Sequence, residues 1–341
     1  MSQPLVSILI PAYNAGEWLS ATLESALGQT WPRKEIIVLN DGSRDNTLAV
    51  ARRFEPRGVR VLTQENQGAA ATRNRLFTFC QGDYIQWLDA DDLLSPDKIE
   101  RQVREAQRLA NPRALFSCAW GRFLYRPGAA RFRPNPLYQD LDRAEWMVLK
   151  LENNTYLQTA CWLVSRQLTE AAGPWNTALL GDDDGEYFAR VLLASDGVRF
   201  VPGSRVYYRI APASLAYIGR SERKMEAQWR SMQLTIGYVR SLDDGPRARA
   251  ACRTYLQNWL GAFYPDRMDL VEQAQTLARE LGGELRLPRP SWKYAWLKPL
   301  GAAAVKRAQV ALPGAKLAAR RRADGMLWRL QGRPGLGRAG R

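Results

Sequence analysis

Short apolar runs alternate along the first 110 residues with segments whose apolar residues recur at helical spacing. The runs lie at 5–10, 35–39, 59–62 and 84–88, and each ends at a proline or at polar residues. Between them, as in 18–27, apolar side chains return every three or four positions. Strands that alternate with helices form parallel β-α-β units, so the pattern predicts an α/β fold: a Rossmann-like open sheet with helices on both faces.

The pattern is less regular after residue 112. It predicts strands at 114–125 and 198–209 and helices at 143–150, 183–194, 221–240, 247–263 and 270–281. Residues 287–290 (Leu-Pro-Arg-Pro) are typical of a linker. We therefore expect three parts: an α/β domain over 1–220 with halves at 1–110 and 111–220, a helical extension over 221–288, and a tail over 289–341.

Polar clusters follow three of the predicted strands, at 11–14, 40–43 and 89–92. Ligands of parallel sheets bind beyond the carboxyl ends of the strands, so these clusters are candidate site residues. Asp89, Asp91 and Asp92 repel one another unless a cation lies among them, and Mg²⁺ or Mn²⁺ is the natural choice. The alternatives are an acidic loop that caps the next helix, and ordinary turn chemistry at Asp41-Gly42.

Two further segments carry candidate chemistry. Gly68 and the small residues after it begin a helix whose Arg73 is placed to reach phosphate, unless this is only a tightly packed helix. The acids at 182–184 begin another helix, where they would also complement its dipole. The chain contains no histidine, so a carboxylate must act as the base for any hydroxyl nucleophile.

The net positive charge of the chain is concentrated at its carboxyl end. The chain has 49 Lys and Arg against 34 Asp and Glu, and residues 289–341 hold thirteen of those cations with Asp324 as their one acid. Four aromatic residues lie among them, namely Trp292, Tyr294, Trp296 and Trp328. This composition suits an anionic membrane surface, the alternative being a solvated basic tail. We do not expect a nucleic-acid partner, because the first 288 residues are nearly neutral and carry no recognised nucleic-acid motif.

The location expected from the sequence is the cytoplasm, or the cytoplasmic face of a membrane. Four scattered cysteines without a Cys-x-x-Cys pair argue against a zinc site or a disulfide framework and fit a reducing compartment. The sequence has no run of about 18 apolar residues, so no transmembrane helix is predicted, and the amino terminus has no signal-peptide pattern.

Four ordered motifs, at 6–14, 35–43, 66–74 and 82–92, together resemble the family 2 glycosyltransferases with the GT-A fold. The resemblance is dense over 5–110 and loose over 158–210. It implies an inverting enzyme that moves a sugar from a nucleoside-diphosphate donor, expected to be UDP-linked, to a hydroxyl of a glycan or lipid-linked acceptor in cell-surface polysaccharide synthesis. Residues 1–110 would then bind the nucleotide-sugar, and 111–220 would form the acceptor half.

The resemblance also implies a role for individual residues. Pro11, Tyr13 and Asp41 would border the nucleobase, with Asp41 accepting from its N–H; Arg73 would face the base or the diphosphate; Asp89 would hold the ribose; and Asp91 would bind the divalent metal. Alignment on Glu186 and Arg190 makes Asp184 the catalytic base and puts Gly185 where the family has an aromatic residue. A slip of one position makes Asp183 the base instead.

Two other functions stay open at this point. One is nucleotidyl transfer on a related sheet, which would release pyrophosphate instead of a nucleoside diphosphate. The other is a nucleotide- or carbohydrate-binding protein without turnover. Trp120, Trp162, Trp175 and Tyr187 either stack on sugar rings or belong to the core.

Overall fold

The computed structural model describes residues 3–210, 221–288, 299 and 302–331, with side chains in the last segment at 308 and from 316 onward. The strands in these residues are β1 Val6–Ala12, β2 Lys34–Asp41, β3 Val59–Gln64, β4 Tyr84–Trp87, β5 Leu93–Leu94, β6 Leu115–Phe123, β7 Arg131–Phe132, β8 Val164–Ser165 and β9 Val198–Arg209. The helices are α1 Leu19–Leu27, α2 Thr47–Arg52, α3 Ala69–Phe79, α4 Lys98–Leu109, α5 Arg143–Glu152, α6 Arg166–Ala172, α7 Asp183–Ala194, α8 Glu222–Leu242, α9 Pro246–Phe263, α10 Met268–Glu280 and α11 Ala302–Leu330.

The first sheet is open and mostly parallel, which confirms the predicted α/β architecture. Its strand order is β3-β2-β1-β4-β8, with β8 antiparallel at one edge. The central strand β1 buries Ile8, Leu9 and Ile10 completely. Strands covered on both faces need apolar side chains at successive positions, which explains the uninterrupted apolar runs in this half of the sequence.

A second sheet follows, in the order β5-β9-β6-β7. Its two long strands, β6 and β9, run parallel, with a register shift between Ser117 and Ala119. The two-residue strand β5 pairs antiparallel with β9 and comes directly after the acidic loop at 89–92. That loop is therefore held between β4 of the first sheet and β5 of the second.

Residues 221–288 form the three predicted helices, α8, α9 and α10. Helix α8 packs on α7 and α9, and α9 packs on α5. Arg247 at the start of α9 pairs with Glu145 of α5 at 2.7 Å and with Glu152 at 2.9 Å. The helical extension is thus attached to residues 111–220 by apolar packing and by an exposed ion-pair cluster.

Helix α11 occupies part of the basic tail, where the sequence shows only an imperfect helical periodicity that Gly325 interrupts. Asp324 accepts from the backbone N–H of Tyr125 at 2.9 Å and pairs with Arg126 at 2.6 Å. The predictions for Trp292, Tyr294 and Trp296 lie outside the described residues. None of the described helices has the length and apolar content needed to cross a bilayer.

Candidate functional site

The three polar clusters lie side by side at one edge of the first sheet. Strands β2, β1 and β4 are adjacent and parallel, so the residues that follow them emerge at the same edge. Ala12 of β1 pairs with Asn40 of β2, which brings Tyr13 beside Asp41 and Gly42. Tyr13 is 48% exposed, whereas Pro11 is half-buried. This edge presents an open aromatic ring next to a polar, buried strand end.

Arg73 of α3 joins two acids that are far apart in the sequence. It donates to Asp89 Oδ1 at 2.8 Å and to Asp183 Oδ2 at 2.9 Å, although these acids are 16 and 110 residues away. Its side chain is 8% exposed and lies 4.4 Å from the ring centroid of Trp175. Burial alone would lower the pKa of Arg73, but the carboxylates of Asp89, Asp183 and Asp184 raise it. The acidic loop and the start of α7 therefore meet around one buried cation.

The acidic loop itself brings two more carboxylates close together, those of Asp91 and Asp92. Burial raises the pKa of Asp91 to about 7, and repulsion from Asp89 adds to the effect while Arg209 opposes it. Asp92 accepts from the backbone N–H of Arg209 at 2.9 Å through one oxygen, and its other oxygen is buried without a partner among the described residues. Burial, together with the neighbouring acids, also raises the pKa of Asp92.

Arg209 holds this loop by hydrogen bonds, and the sequence analysis did not identify it. Its guanidinium lies between the rings of Trp18 and Phe123, 4.4 and 4.3 Å from their centroids. It donates through Nε to the backbone oxygen of Asp91 at 2.8 Å. No pattern in the sequence separates this arginine from the others of β9, because the contact depends on how the two sheets meet.

A divalent cation fits the loop if the donor supplies further ligands. The described residues contain no group of three acidic or cysteine side chains close enough to hold an ion by themselves. Asp91 nevertheless offers a desolvated carboxylate whose ionised form a cation would stabilise. Mg²⁺ and Mn²⁺ sites often use one or two carboxylates and complete the shell with phosphate oxygens and water. The role of Asp91 as a metal ligand stays a prediction.

The start of α7 is anchored by Asp182, whose separate role the sequence did not predict. Asp182 has a left-handed φ of 55° and accepts from Gln228 at 3.1 Å and from Ser231 at 2.9 Å, both on α8. A Cβ added at Gly185 would come closer than van der Waals contact to Oδ1 of Asp182. Glycine stands in place of the expected aromatic residue because the Asp182 carboxylate occupies that space.

Asp183 and Asp184 have different surroundings. Asp183 is paired with Arg73, and burial raises its pKa to about 6, aided by Asp184 and Asp89 and opposed by Arg73. Asp184 accepts from the N–H of Gly185 at 2.9 Å and from the hydroxyl of Thr159 at 3.2 Å. Within the described part of the chain, Asp184 forms no ion pair. Of the two, Asp184 has the carboxylate that is not already bound to a cation.

The pair used to align this segment is present as an ion pair. Arg190 Nε and Glu186 Oε1 are 2.8 Å apart, and Tyr238 of α8 donates to the same oxygen at 2.8 Å. The i, i+4 spacing on α7 brings the two side chains together. The contact does not distinguish the two alignments, so the choice between Asp184 and Asp183 as the base stays a prediction.

Asp41 is engaged by its own loop, and its predicted place at the nucleobase stays a prediction. It is 2% exposed, and its oxygens accept from Gln64 at 2.7 Å, from Gln67 N–H at 2.9 Å, from Asn66 at 3.1 Å and from Gly68 N–H at 2.9 Å. A carboxylate has about four acceptor positions, and all of them are taken. Asp41 therefore orders the loop before α3, and it has no free acceptor for a nucleobase N–H in this structure.

The candidate sugar-stacking aromatics belong mainly to the core. Trp162, Trp175 and Tyr187 are at most 3% exposed, and Trp175 and Tyr187 stack on each other with centroids 3.9 Å apart. Trp120 is also buried, with the exposed Tyr156 beside it at 5.3 Å. Tyr156, which the sequence analysis did not single out, is the open ring in this group.

The amino-terminal half of the sequence is similar to known proteins. The sequence model of the family described as Glycosyl transferase family 2 matches residues 7–172. Chondroitin synthase of Pasteurella multocida is 44% identical over 105 residues, which are 30% of this chain and 11% of that protein. The chain spans about a third or less of the length of the first curated relatives that it matches.

Solved structures with a similar fold include two proteins in complex with nucleotide-sugars. Staphylococcus aureus TarS 1-349 in complex with UDP-GlcNAc has a TM-score of 0.64 at 13% identity, covering 81% of this chain and 80% of that one. The mannosyltransferase PcManGT of Pyrobaculum calidifontis, in complex with GDP-Man and Mn²⁺, has a TM-score of 0.53 at 18% identity, covering 96% of this chain and 88% of that one. At these identities the likeness shows the fold.

Proposed function

We propose that this chain, which belongs to the family 2 glycosyltransferases through residues 7–172, is an inverting enzyme. It moves a sugar from a nucleoside-diphosphate donor to an acceptor hydroxyl. The observation that carries the proposal is the bridge formed by Arg73 between Asp89 and Asp183. It brings a cation and acids of opposite halves together beyond the strand ends, where a diphosphate and an incoming hydroxyl would have to meet.

The donor would lie across the edge formed by β2, β1 and β4. Pro11 and the exposed Tyr13 would border the base, and Asp41 would act indirectly by holding the loop at 66–68 in place. Asp89 would contact the ribose, and Arg73 would face the diphosphate. We propose UDP as the nucleotide, supported by the similar fold of TarS, which was solved with UDP-GlcNAc. The structure with GDP-Man makes GDP the competitor to test.

Asp91 would hold a divalent metal, Mn²⁺ or Mg²⁺, at the acidic loop. When bound, such an ion neutralises charge that develops on the departing diphosphate. The support from this chain is the buried carboxylate with its raised pKa, and Mn²⁺ is present in the Pyrobaculum mannosyltransferase complex. Arg209 would keep the loop in position through its contact with the Asp91 backbone oxygen.

Asp184 would be the base. Its Oδ2 would take the proton of the acceptor hydroxyl while that oxygen bonds to the anomeric carbon and the bond to the diphosphate oxygen breaks. Thr159 and the N–H of Gly185 orient the carboxylate, and Arg73 faces the leaving group as its negative charge grows. A single displacement from the face opposite the leaving group inverts the anomeric configuration.

The decisive experiment compares Asp184→Asn with the wild-type protein. We expect donor binding, measured by calorimetry with Mn²⁺, to be retained, and transfer, measured as nucleoside diphosphate released, to fall by about 10²–10⁴-fold. The matched variant is Asp183→Asn, whose residue lies one position earlier and is paired with Arg73. If Asp183→Asn abolished transfer while Asp184→Asn left it intact, Asp183 would be the base.

The released product also separates the rival functions. A nucleotidyltransferase would release pyrophosphate, and a binding protein without turnover would release neither product. For the acceptor we propose a hydroxyl of a glycan or lipid-linked acceptor of a cell-surface polysaccharide. The place of action would be the cytoplasm, with attachment to the membrane face through residues 289–341. The similarity to chondroitin synthase over 105 residues supports the glycan assignment.

A further inference from the structure

One face of α11 is apolar and exposed. From residue 319 onward, apolar side chains recur at intervals of three and four, which places them on a single face of the helix. Three of them are large, and they are 64% (Met326), 43% (Leu327) and 73% (Leu330) exposed. We call this face the apolar stripe; it consists of Ala319, Ala323, Met326, Leu327 and Leu330.

The opposite face of α11 is docked on the protein. Asp324 accepts from Tyr125 and Arg126 N–H groups and pairs with the Arg126 guanidinium. Gly325 lies against the ring of Tyr125, and Trp328 packs on that ring with centroids 5.5 Å apart. These contacts fix the rotation of the helix about its own axis. The apolar stripe therefore points away from the molecule.

Basic residues flank the apolar stripe on both sides. At about 100° per residue, Arg320 lies on one side of the stripe, and Arg322 and Arg329 lie on the other. All three are exposed, and no acid in the described ranges pairs with them. The tail that contains them has thirteen cations and one acid, and that acid is already paired with Arg126.

We propose that the apolar stripe and its flanking arginines form a contact surface for an anionic lipid bilayer. An amphipathic helix of this kind lies in the membrane plane, with its apolar side chains in the headgroup boundary and its cations at the lipid phosphates. A second copy of this chain is disfavoured as the occupant, because self-association would bring the flanking arginines of two copies together.

The surface is connected to the site through a short series of side chains. Tyr125, on which α11 docks, has its ring 5.2 Å from Trp18, and Trp18 covers the guanidinium of Arg209. Arg209 holds the acidic loop. The helix that carries the stripe is therefore packed, through these side chains, onto the acidic loop, and a bilayer bound by it would hold the site near a lipid-linked acceptor. This use of the surface rests on the proposed function, but binding to lipid can be measured without donor or acceptor.

The experiment is sedimentation of the full-length protein with phosphatidylcholine vesicles, with and without phosphatidylglycerol. We expect binding only when the anionic lipid is present. Replacing Arg320, Arg322 and Arg329 with Gln should lower the vesicle affinity on the order of a hundredfold. The double variant Met326→Glu/Leu330→Glu should also lose binding. Met268→Glu, at a similarly exposed methionine of α10, is the matched control and should bind like the wild type.

Wild-type protein that ignores both kinds of vesicle, or variants that bind as tightly as wild type, would overturn the proposal. So would a concentration-dependent dimer that disappears in Met326→Glu/Leu330→Glu, since the stripe would then be a self-association surface. Thermal melting checks that each variant is folded. Turnover of a nucleotide-sugar without vesicle binding would overturn the proposed lipid contact and leave the proposed function intact. Vesicle binding without any turnover would overturn the proposed function and leave the lipid contact intact.

Discussion

Arg73 shows how one side chain can organise a cleft from distant parts of the chain. A buried guanidinium is tolerated when carboxylates compensate it, and Arg73 has one acid from each side of the cleft. Its planar fork allows two acids to be held by different nitrogens at once. The same geometry explains why Asp183 is less available than Asp184, since its carboxylate is already engaged.

The raised pKa of Asp91 leads to a prediction about Mn²⁺ and pH. The folded-state pKa of about 7 lies above the ordinary value of 3.8, so the folded protein binds a proton more tightly than the unfolded chain. Stability contributed by this group is therefore lost as pH rises from about 4 to 7. A cation replaces the proton, so Mn²⁺ should raise Tm by about 5 °C or more at about pH 8 and much less at about pH 5.

Differential scanning calorimetry of the protein with and without Mn²⁺ measures this effect. Asp91→Asn is the control, because it removes the titrating carboxylate and should remove the response to the metal at both pH values. An equal rise in Tm at the two pH values in the wild-type protein would contradict the assignment of Asp91.

At this scale the sequence predicted where residues lie but not which partners surround them. It correctly placed Asp41 at a strand end, but the four donors around its carboxylate come from residues 23–27 positions later and could not be foreseen. Three consecutive aspartates are chemically identical in a sequence. Only their different partners, α8 for Asp182, Arg73 for Asp183 and Thr159 for Asp184, distinguish them.

At the scale of elements, the contact between α7 and α8 depends on Gly185. Gly185→Ala should lower the free energy of unfolding by about 1–3 kcal/mol, because the new methyl displaces the Asp182 carboxylate from Gln228 and Ser231. Gly237→Ala is the matched control, since Gly237 lies within α8 with no atom near its missing Cβ. It should raise stability by about 0.5–1 kcal/mol.

Urea unfolding of both variants measures the two effects. If Gly185→Ala stabilised the protein as Gly237→Ala should, Asp182 would not be the anchor of α7. An intermediate result for Gly185→Ala, close to zero, would mean that helix propensity offsets the displaced hydrogen bonds.

The helices and long strands were readable because their apolar spacing is regular. Helices α7, α8, α9 and α10 and strands β6 and β9 lie within a few residues of their predicted bounds. The two-residue strands β5, β7 and β8 were not predicted, because a pair of residues has no periodicity. Helix α11 was only weakly indicated, because the helical periodicity of the tail is imperfect and Gly325 interrupts it.

At the scale of the whole molecule, Asp324 attaches the basic tail to Tyr125 and Arg126, just after β6. Asp324→Asn should release α11, because the neutral amide cannot form the ion pair with Arg126. It also weakens the hydrogen bonds that the backbone N–H groups of Tyr125 and Arg126 donate to the charged carboxylate. Backbone amides of α11 should then exchange with deuterium about tenfold faster or more. Asp269→Asn, which breaks an exposed ion pair with Arg267, is the control.

Hydrogen exchange measured by mass spectrometry follows both variants. Unchanged exchange in α11 of Asp324→Asn would show that the aromatic contacts alone hold the helix.

The sequence identified Asp324 as the one acid of the tail, but its partners at 125 and 126 are nearly 200 residues away. Docking at that distance depends on the assembled fold and has no local signature.

The short bridge between the two sheets has a practical consequence for protein engineering. The acidic loop leaves β4 in one sheet and enters β5 in the other within five residues. A chimera that combines the first sheet of this chain with a foreign second sheet therefore cannot be joined inside 88–94 without moving the carboxylates there. The safer junction lies after Leu94, and the graft must bring its own equivalent of β9 in register with Leu93 and Leu94.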